Sequence, residues 1–156
     1  MLSPQQIGIN FETDVHHFLS KTKLKVLREK DIRNKYGQHI SAIDHLIDDD
    51  NLCIMIQTKY ENTNVSISKM NHFIKCTQDI NNIIKKKCIC IYFSKMDLSS
   101  HSKIAIEEEN NKLSNRKYYH ITGNNDKEMF SKLSDFFYLY LQIFFYENDN
   151  SCIMLD

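Results

Sequence analysis

Ile40-Ser41-Ala42-Ile43-Asp44-His45-Leu46-Ile47-Asp48-Asp49-Asp50-Asn51-Leu52-Cys53-Ile54-Met55-Ile56-Gln57-Thr58-Lys59-Tyr60 is the stretch on which the reading of this chain turns. Two apolar runs, Ile40 to Ile47 and Leu52 to Tyr60, flank four consecutive Asp and Asn residues. Such residues tolerate turn conformations and hydrogen-bond their own backbone, so the pattern predicts two strands joined as a hairpin. Side chains alternate across a strand, which puts Cys53, Met55, Gln57 and Lys59 on one face and Leu52, Ile54 and Ile56 on the other. A turn centred near Asp49 and Asp50 pairs residues whose numbers sum to about 99 or 100, so Asp44 is expected opposite positions 55–56 and diagonal to Gln57. A carboxylate, an amide oxygen and an ammonium then converge on one sheet edge. Oxygen ligands of this kind hold Mg²⁺, and a neighbouring cation positions water, a set suited to metal-assisted phosphodiester hydrolysis.

Outward from the hairpin, Ser3-Pro4 has the form of a helix start, a capping residue followed by Pro at the first helical position. Ile7, Phe11, Val15 and Phe18 continue it at helical spacing to about Ser20. Lys23 to Arg28 reads as a short strand and residues 30–39 as a polar loop. Downstream, Ser66 or Ser68 caps a helix carrying Met70, Phe73, Ile74, Ile80 and Ile84 on one face. It ends in Lys85-Lys86-Lys87, cations that suit the negative end of a helix dipole. Cys88 to Phe93 reads as a buried strand, Ser99 to about Lys112 as a polar helix, Tyr118 to Thr122 as a strand, and Asp126 to Tyr146 as a long final helix. The expected order is αβββαβαβα, a mixed sheet flanked by helices. Residues 1–147 are expected to form a single domain and residues 148–156 a flexible acidic tail.

With 156 residues, 42% hydrophobic, 26% charged, 3 Gly and 1 Pro, the composition excludes collagen-like, low-complexity and disordered classes. Twenty basic and twenty acidic side chains cancel, yet residues 67–120 carry ten of the former and five of the latter. Seventeen Lys against three Arg, with abundant Asn and Ile, is what an A/T-rich coding sequence gives, so lysine content alone is weak evidence for a polyanionic partner. The five cysteines lack a second Cys or His pair that would complete a zinc set with Cys88-x-Cys90, and their odd number suits a reducing compartment. Met1 to Asn10 has neither the basic nor the apolar region of a signal peptide. Phe136 to Tyr146 is too short for the roughly 20 residues that span a bilayer. An intracellular, soluble protein, cytoplasmic or nuclear, is expected. The adjacent His16-His17 lack helical metal-site spacing, and the Asp48 to Asp50 run reads as a solvated turn.

Asp44 within Ser-Ala-Ile-Asp, followed 13 residues later by Gln57-Thr58-Lys59, resembles the signature of the PD-(D/E)xK nuclease superfamily. It is the D…QxK variant of Mrr-type restriction endonucleases, and archaeal-type Holliday junction resolvases share the plan. Gly8-Ile9-Asn10-Phe11-Glu12 is similar to the first-helix motif of that family, Gly37 precedes the Asp as it does there, and Cys88 to Gly123 follows its later strand, helix and strand. The resemblance spans roughly residues 7–123. It implies a restriction-endonuclease-like fold and a Mg²⁺-dependent deoxyribonuclease, with Mn²⁺ able to substitute. Asp44 would be the principal metal ligand, Gln57 a ligand through its carbonyl, Lys59 the cation that orients water, and Glu12 a further ligand or its support. DNA would be held by Arg33 and Lys35 before the catalytic strand and by Lys69 at the start of the next helix. The alternatives are a non-catalytic DNA-binding or assembly subunit on the same fold and an RNA-processing nuclease of the superfamily. The aromatic final helix, apolar nearly all round, is expected to be buried, with a homodimer as its partner.

Overall fold

In the computed structural model, which describes residues 1–148 and 151–153, the elements run in chain order from the N-terminal helix to a C-terminal strand pair. They are α1 (Pro4–Ser20), β1 (Leu27–Arg28), α2 (Glu29–Tyr36), β2 (His45–Asp48), β3 (Leu52–Lys59), α3 (Ile67–Ile84), β4 (Lys87–Ser94), α4 (Ser100–Asn111), β5 (Arg116–Ile121), α5 (Asp126–Leu141), β6 (Phe145–Asn148) and β7 (Ser151–Ile153). The main sheet has the order β1-β2-β3-β4-β5. Its first two pairings are antiparallel and its last two parallel. This is the expected α/β class with a mixed sheet between helices.

Alternation along β3 and β4 builds two cores. Ile54, Ile56, Ile89, Ile91 and Phe93 face α1 and α5, meeting Phe11, Val15, Leu19, Leu133 and Phe137. Cys53, Met55, Cys88, Cys90 and Tyr92 face the other way, against Ile32 of α2 and Met70, Phe73 and Ile80 of α3. The face assignments read from the sequence therefore hold. So do several helix starts: Ser3, Ser66 and Ser99 each accept a bond from a backbone amide three residues on, the usual capping arrangement. Lys86 at the end of α3 reaches the hairpin turn, its Nζ 2.6 Å from Asp48 Oδ1.

Several expectations are corrected. Residues 30–39 do not form a loop, because α2 occupies Glu29–Tyr36. Glu29 and Asp31 lie in its first turn, with Lys30 between them, and Arg33 and Lys35 lie in its last, a balance the helix dipole favours. Its one buried residue, Ile32, leaves no apolar period to read. Gly37 closes it at φ 130°, where a Cβ would lie 2.6 Å from the His39 ring. The strand expected over 23–28 is confined to Leu27–Arg28. The one expected over 40–47 begins at His45, so Ile40, Ala42 and Ile43 are buried without strand pairing. The final helix stops at Leu141, where Gln142 turns left-handed at φ 55°, and Phe145 packs back on Phe18 and Phe137 in a separate strand. Its apolar residues thus serve two elements, and Leu139 and Tyr140 stay exposed. Strand β7 lies within the expected tail, while residues 149–150 and 154–156 of that tail fall outside the described residues. Among the described residues no helix is long and apolar enough to cross a membrane.

Candidate metal centre

The hairpin register is set by the Asp-Asn turn, with Asp48 opposite Cys53 and His45 opposite Ile56. That is one residue beyond the expected pairing. The Asp44 amide nevertheless donates to Ile56 O at 2.9 Å, so Asp44 and His45 both stand against Ile56. Asp44 lies just before β2, and that bond keeps it against the end of β3. The Asp44 carboxylate is held there: its Oδ2 accepts the Thr58 amide at 2.9 Å and the Thr58 hydroxyl at 2.7 Å.

Glu12, Glu29, Asp44, Gln57 and Lys59 line one cleft of about 280 Å³. Four pieces of local structure deliver the five. Glu12 follows the buried Phe11 on α1, Glu29 opens α2, Asp44 precedes β2, and Gln57 and Lys59 end β3. The carboxylates of Glu12, Glu29 and Asp44 each offer an oxygen within 4.8 Å of the others. Gln57 is 6% exposed, and its Oε1 is buried without a hydrogen-bond partner. A buried carbonyl oxygen left unpaired is costly, and most such atoms find a donor or a cation. Three carboxylates and one orphaned amide oxygen form an all-oxygen donor set, the kind that hard divalent cations such as Mg²⁺ and Mn²⁺ prefer over softer N/S metals.

The electrostatics point the same way. Burial, and then the neighbouring Asp44 and Glu29 charges, push the Glu12 carboxyl up to about 7. Burial raises Asp44 to about 6 against the two Thr58 bonds, with Glu29 adding repulsion and Lys59 opposing it. Two acids raised side by side mark a place short of positive charge, and perturbed groups of this kind cluster at functional sites. Next to Asp44, His45 is fully buried with both ring nitrogens unpartnered, and burial lowers it to about 3. It is neutral packing against the His16 ring, 6.1 Å away.

All four residues singled out as catalytic from the sequence are therefore brought together. Glu29 was not foreseen, since it lies in the stretch read as a strand end and loop. The one local signal for it is the acidic start and basic finish of α2. The three residues singled out for nucleic acid are placed differently from one another. Arg33 is already engaged, its Nη1 3.2 Å from Glu29 Oε1 and its Nε donating to Gln38 O at 2.9 Å. Lys69 is paired with Glu61, itself a wall of the cleft, at 2.6 Å. Lys35 is exposed, with its Nζ over the Tyr36 ring at 5.5 Å. Cys53, Cys76, Cys88 and Cys90 are buried free thiols away from the cleft. No protein-family model and no curated protein sequence matches the chain.

Proposed function

We propose that this protein is a metal-dependent nuclease of the PD-(D/E)xK type that hydrolyses phosphodiester bonds in DNA. The observation that carries the reading is the buried, unpartnered Gln57 Oε1 in a cleft lined by three clustered carboxylates and Lys59. The sequence pattern Asp44…Gln57-x-Lys59 supplies the family reading, and the geometry of the cleft supports it.

Asp44, Gln57 and Glu12 would hold the cation, with Glu29 the additional carboxylate within reach. A bound divalent cation supplies Lewis-acid stabilisation of the charge that builds on the phosphate oxygens. Thr58 fixes Asp44 Oδ2 with two donors, which leaves Oδ1 for the cation. Lys59 makes no ion pair within 4 Å among the described residues, so its ammonium is available to donate to a phosphate oxygen or to the attacking water. Water adds to phosphorus, the bond to the leaving oxygen breaks, and that oxygen takes up a proton, giving a phosphomonoester and a hydroxyl. Arg33 neutralises part of the Glu29 charge and so limits the repulsion that an incoming phosphate meets.

The test is incubation of the purified protein with supercoiled, linear and four-way-junction DNA in Mg²⁺ or Mn²⁺. Cleavage that EDTA and Asp44→Ala both abolish is expected. Intact DNA in every arm, from a folded protein that binds Mn²⁺, would sink the reading and leave a non-catalytic subunit on this fold.

A further inference from the structure

Beside the carboxylate cleft lies a second cavity of about 370 Å³ that shares Pro4, Tyr60 and Glu61 with it. Ile7, Asn62, Thr63 and Lys95 complete its lining. The two are continuous along the wall formed by Tyr60, the residue after Lys59, so anything seated in the second lies next to whatever reacts in the first. Its size falls at the lower end of small-ligand sites, roughly 300–1,000 Å³. Its character is unlike that of the cleft, with an aromatic ring, a proline and an exposed isoleucine around the Lys95 cation, a short polar loop, and the Glu61 carboxylate that Lys69 neutralises.

Tyr60 is held as a fixed platform. Its hydroxyl donates to Asp126 Oδ1 at 2.6 Å, and its ring packs against the buried Phe11 at 4.7 Å between centroids. Lys95 Nζ stands 5.0 Å from the ring centroid and donates to Asn62 Oδ1 at 3.0 Å. An aromatic face with a cation poised over it and amide and hydroxyl groups at its rim is the equipment for a flat heteroaromatic ring on an anionic backbone. With Phe11 behind the Tyr60 ring, an incoming base stacks where the Lys95 ammonium now sits, that ammonium swings to the adjoining phosphate, and Asn62, released by it, meets the polar edge with Thr63.

We infer that this cavity is a subsite for one unpaired nucleobase flanking the phosphate held in the carboxylate cleft. The inference rests on the nuclease reading for the identity of that phosphate. A paired base lies inside its stack and cannot enter a side cavity without losing its pairing and stacking. The subsite therefore selects DNA with a single-stranded segment at the cut, such as an overhang, a flap or a branch, over a flush duplex.

The experiment measures binding by fluorescence anisotropy in Ca²⁺, a hard cation that an all-oxygen site accepts, with each probe checked intact after the titration. Three probes are compared: a flush duplex, the same duplex with a four-nucleotide thymidine overhang, and that overhang made abasic. The thymidine overhang is expected to bind about 10-fold tighter than either of the others, the size of one base–aromatic stack. Tyr60→Leu should remove the advantage. Because Tyr60 packs on Phe11, Ile7→Asp at an exposed position provides an independent variant that leaves the core untouched and sets a carboxylate in the subsite. Equal binding of the thymidine and abasic overhangs, or a full preference retained by folded Ile7→Asp, overturns the subsite. Absence of cleavage alongside a base-dependent preference overturns only the nuclease reading.

Discussion

Asp44 and Thr58 are locked together across the mouth of the hairpin, one carboxylate oxygen taking both the amide and the hydroxyl of Thr58, at 2.9 and 2.7 Å. Those two donors oppose the burial that drives Asp44 upward. Thr58→Val keeps the shape and the amide but removes the hydroxyl. Asp44 should then hold its proton to still higher pH, and Mn²⁺ affinity measured by calorimetry at pH 7 should fall about 10-fold or more, as with other groups that orient a ligand. Unchanged affinity would show that the hydroxyl does not position the carboxylate.

Lys59→Ala and Gln57→Glu separate chemistry from cation binding. Lys59→Ala should abolish cleavage while leaving Mn²⁺ binding and the circular dichroism spectrum intact. Gln57→Glu adds a fourth carboxylate to a site already crowded with three. It should lower the melting temperature in EDTA through like-charge repulsion, recover it with Mn²⁺, and keep substantial metal-dependent cleavage. A Gln57→Glu protein whose melting temperature is indifferent to Mn²⁺ would remove Gln57 from the ligand set.

The pH dependence of stability follows from the raised acids. Glu12 rises from 4.5 to about 7 and Asp44 from 3.8 to about 6, so across these windows the folded state binds more protons than the unfolded one. Stability of the metal-free protein due to these groups is then greatest at low pH and falls as pH climbs to about 7. His45, lowered from 6.5 to about 3, works the other way, losing stability as pH falls below 6.5. Glu12→Gln isolates the first effect. In EDTA it should stabilise the protein by about 1 kcal/mol at pH 8, allowing for solvent screening of a half-buried group, and by almost nothing at pH 4. Chemical denaturation at the two pH values checks this, and equal effects at both would refute it.

Arg33 and Lys35 should behave differently although they sit two residues apart on α2. Lys35 is exposed and its loss should lower the slope of log K against log salt for duplex DNA by about 0.9, one phosphate contact. Arg33 is paired with Glu29 and anchored to Gln38 O. Arg33→Ala should leave that slope nearly unchanged and weaken cleavage instead, by exposing the phosphate to the uncompensated Glu29. Anisotropy titrations at several salt concentrations distinguish the two.

How much of this was legible in the sequence depends on how local each feature is. The hairpin was, because four turn residues between alternating runs encode it within the segment, and the faces of β3 follow from the period of two. Helix starts were legible at Ser3 and Ser99, and at Ser66 as one of two candidates with Ser68, because a cap and the turn after it are neighbours in the chain. Asp44 beside Gln57 and Lys59 was legible for the same reason, although its grip on Thr58 is a property of the assembled sheet. Helix α2 was hidden because one buried side chain in eight residues makes no period, and Glu29 was hidden with it. The end of α5 was misread because Phe136, Phe137 and Phe145 are equally apolar while belonging to a helix and a returning strand that share one core.

A helix with Ile32 as its one buried residue and Tyr36 packed partly against the core is more lightly anchored than its neighbours, and such elements open more readily. Fraying of α2 would take Glu29 out of reach of Glu12 and Asp44 and so change the charge of the cleft. A cation bound to all three carboxylates would clamp the helix closed, and order would appear in a segment that contributes one ligand. Backbone amides of residues 32–36 should then exchange with deuterium quickly in EDTA and much more slowly in Mn²⁺, while those of β3 are slow in both. Occupancy of the cleft is thereby written into the rhythm of its shortest helix, readable without any nucleic acid at all.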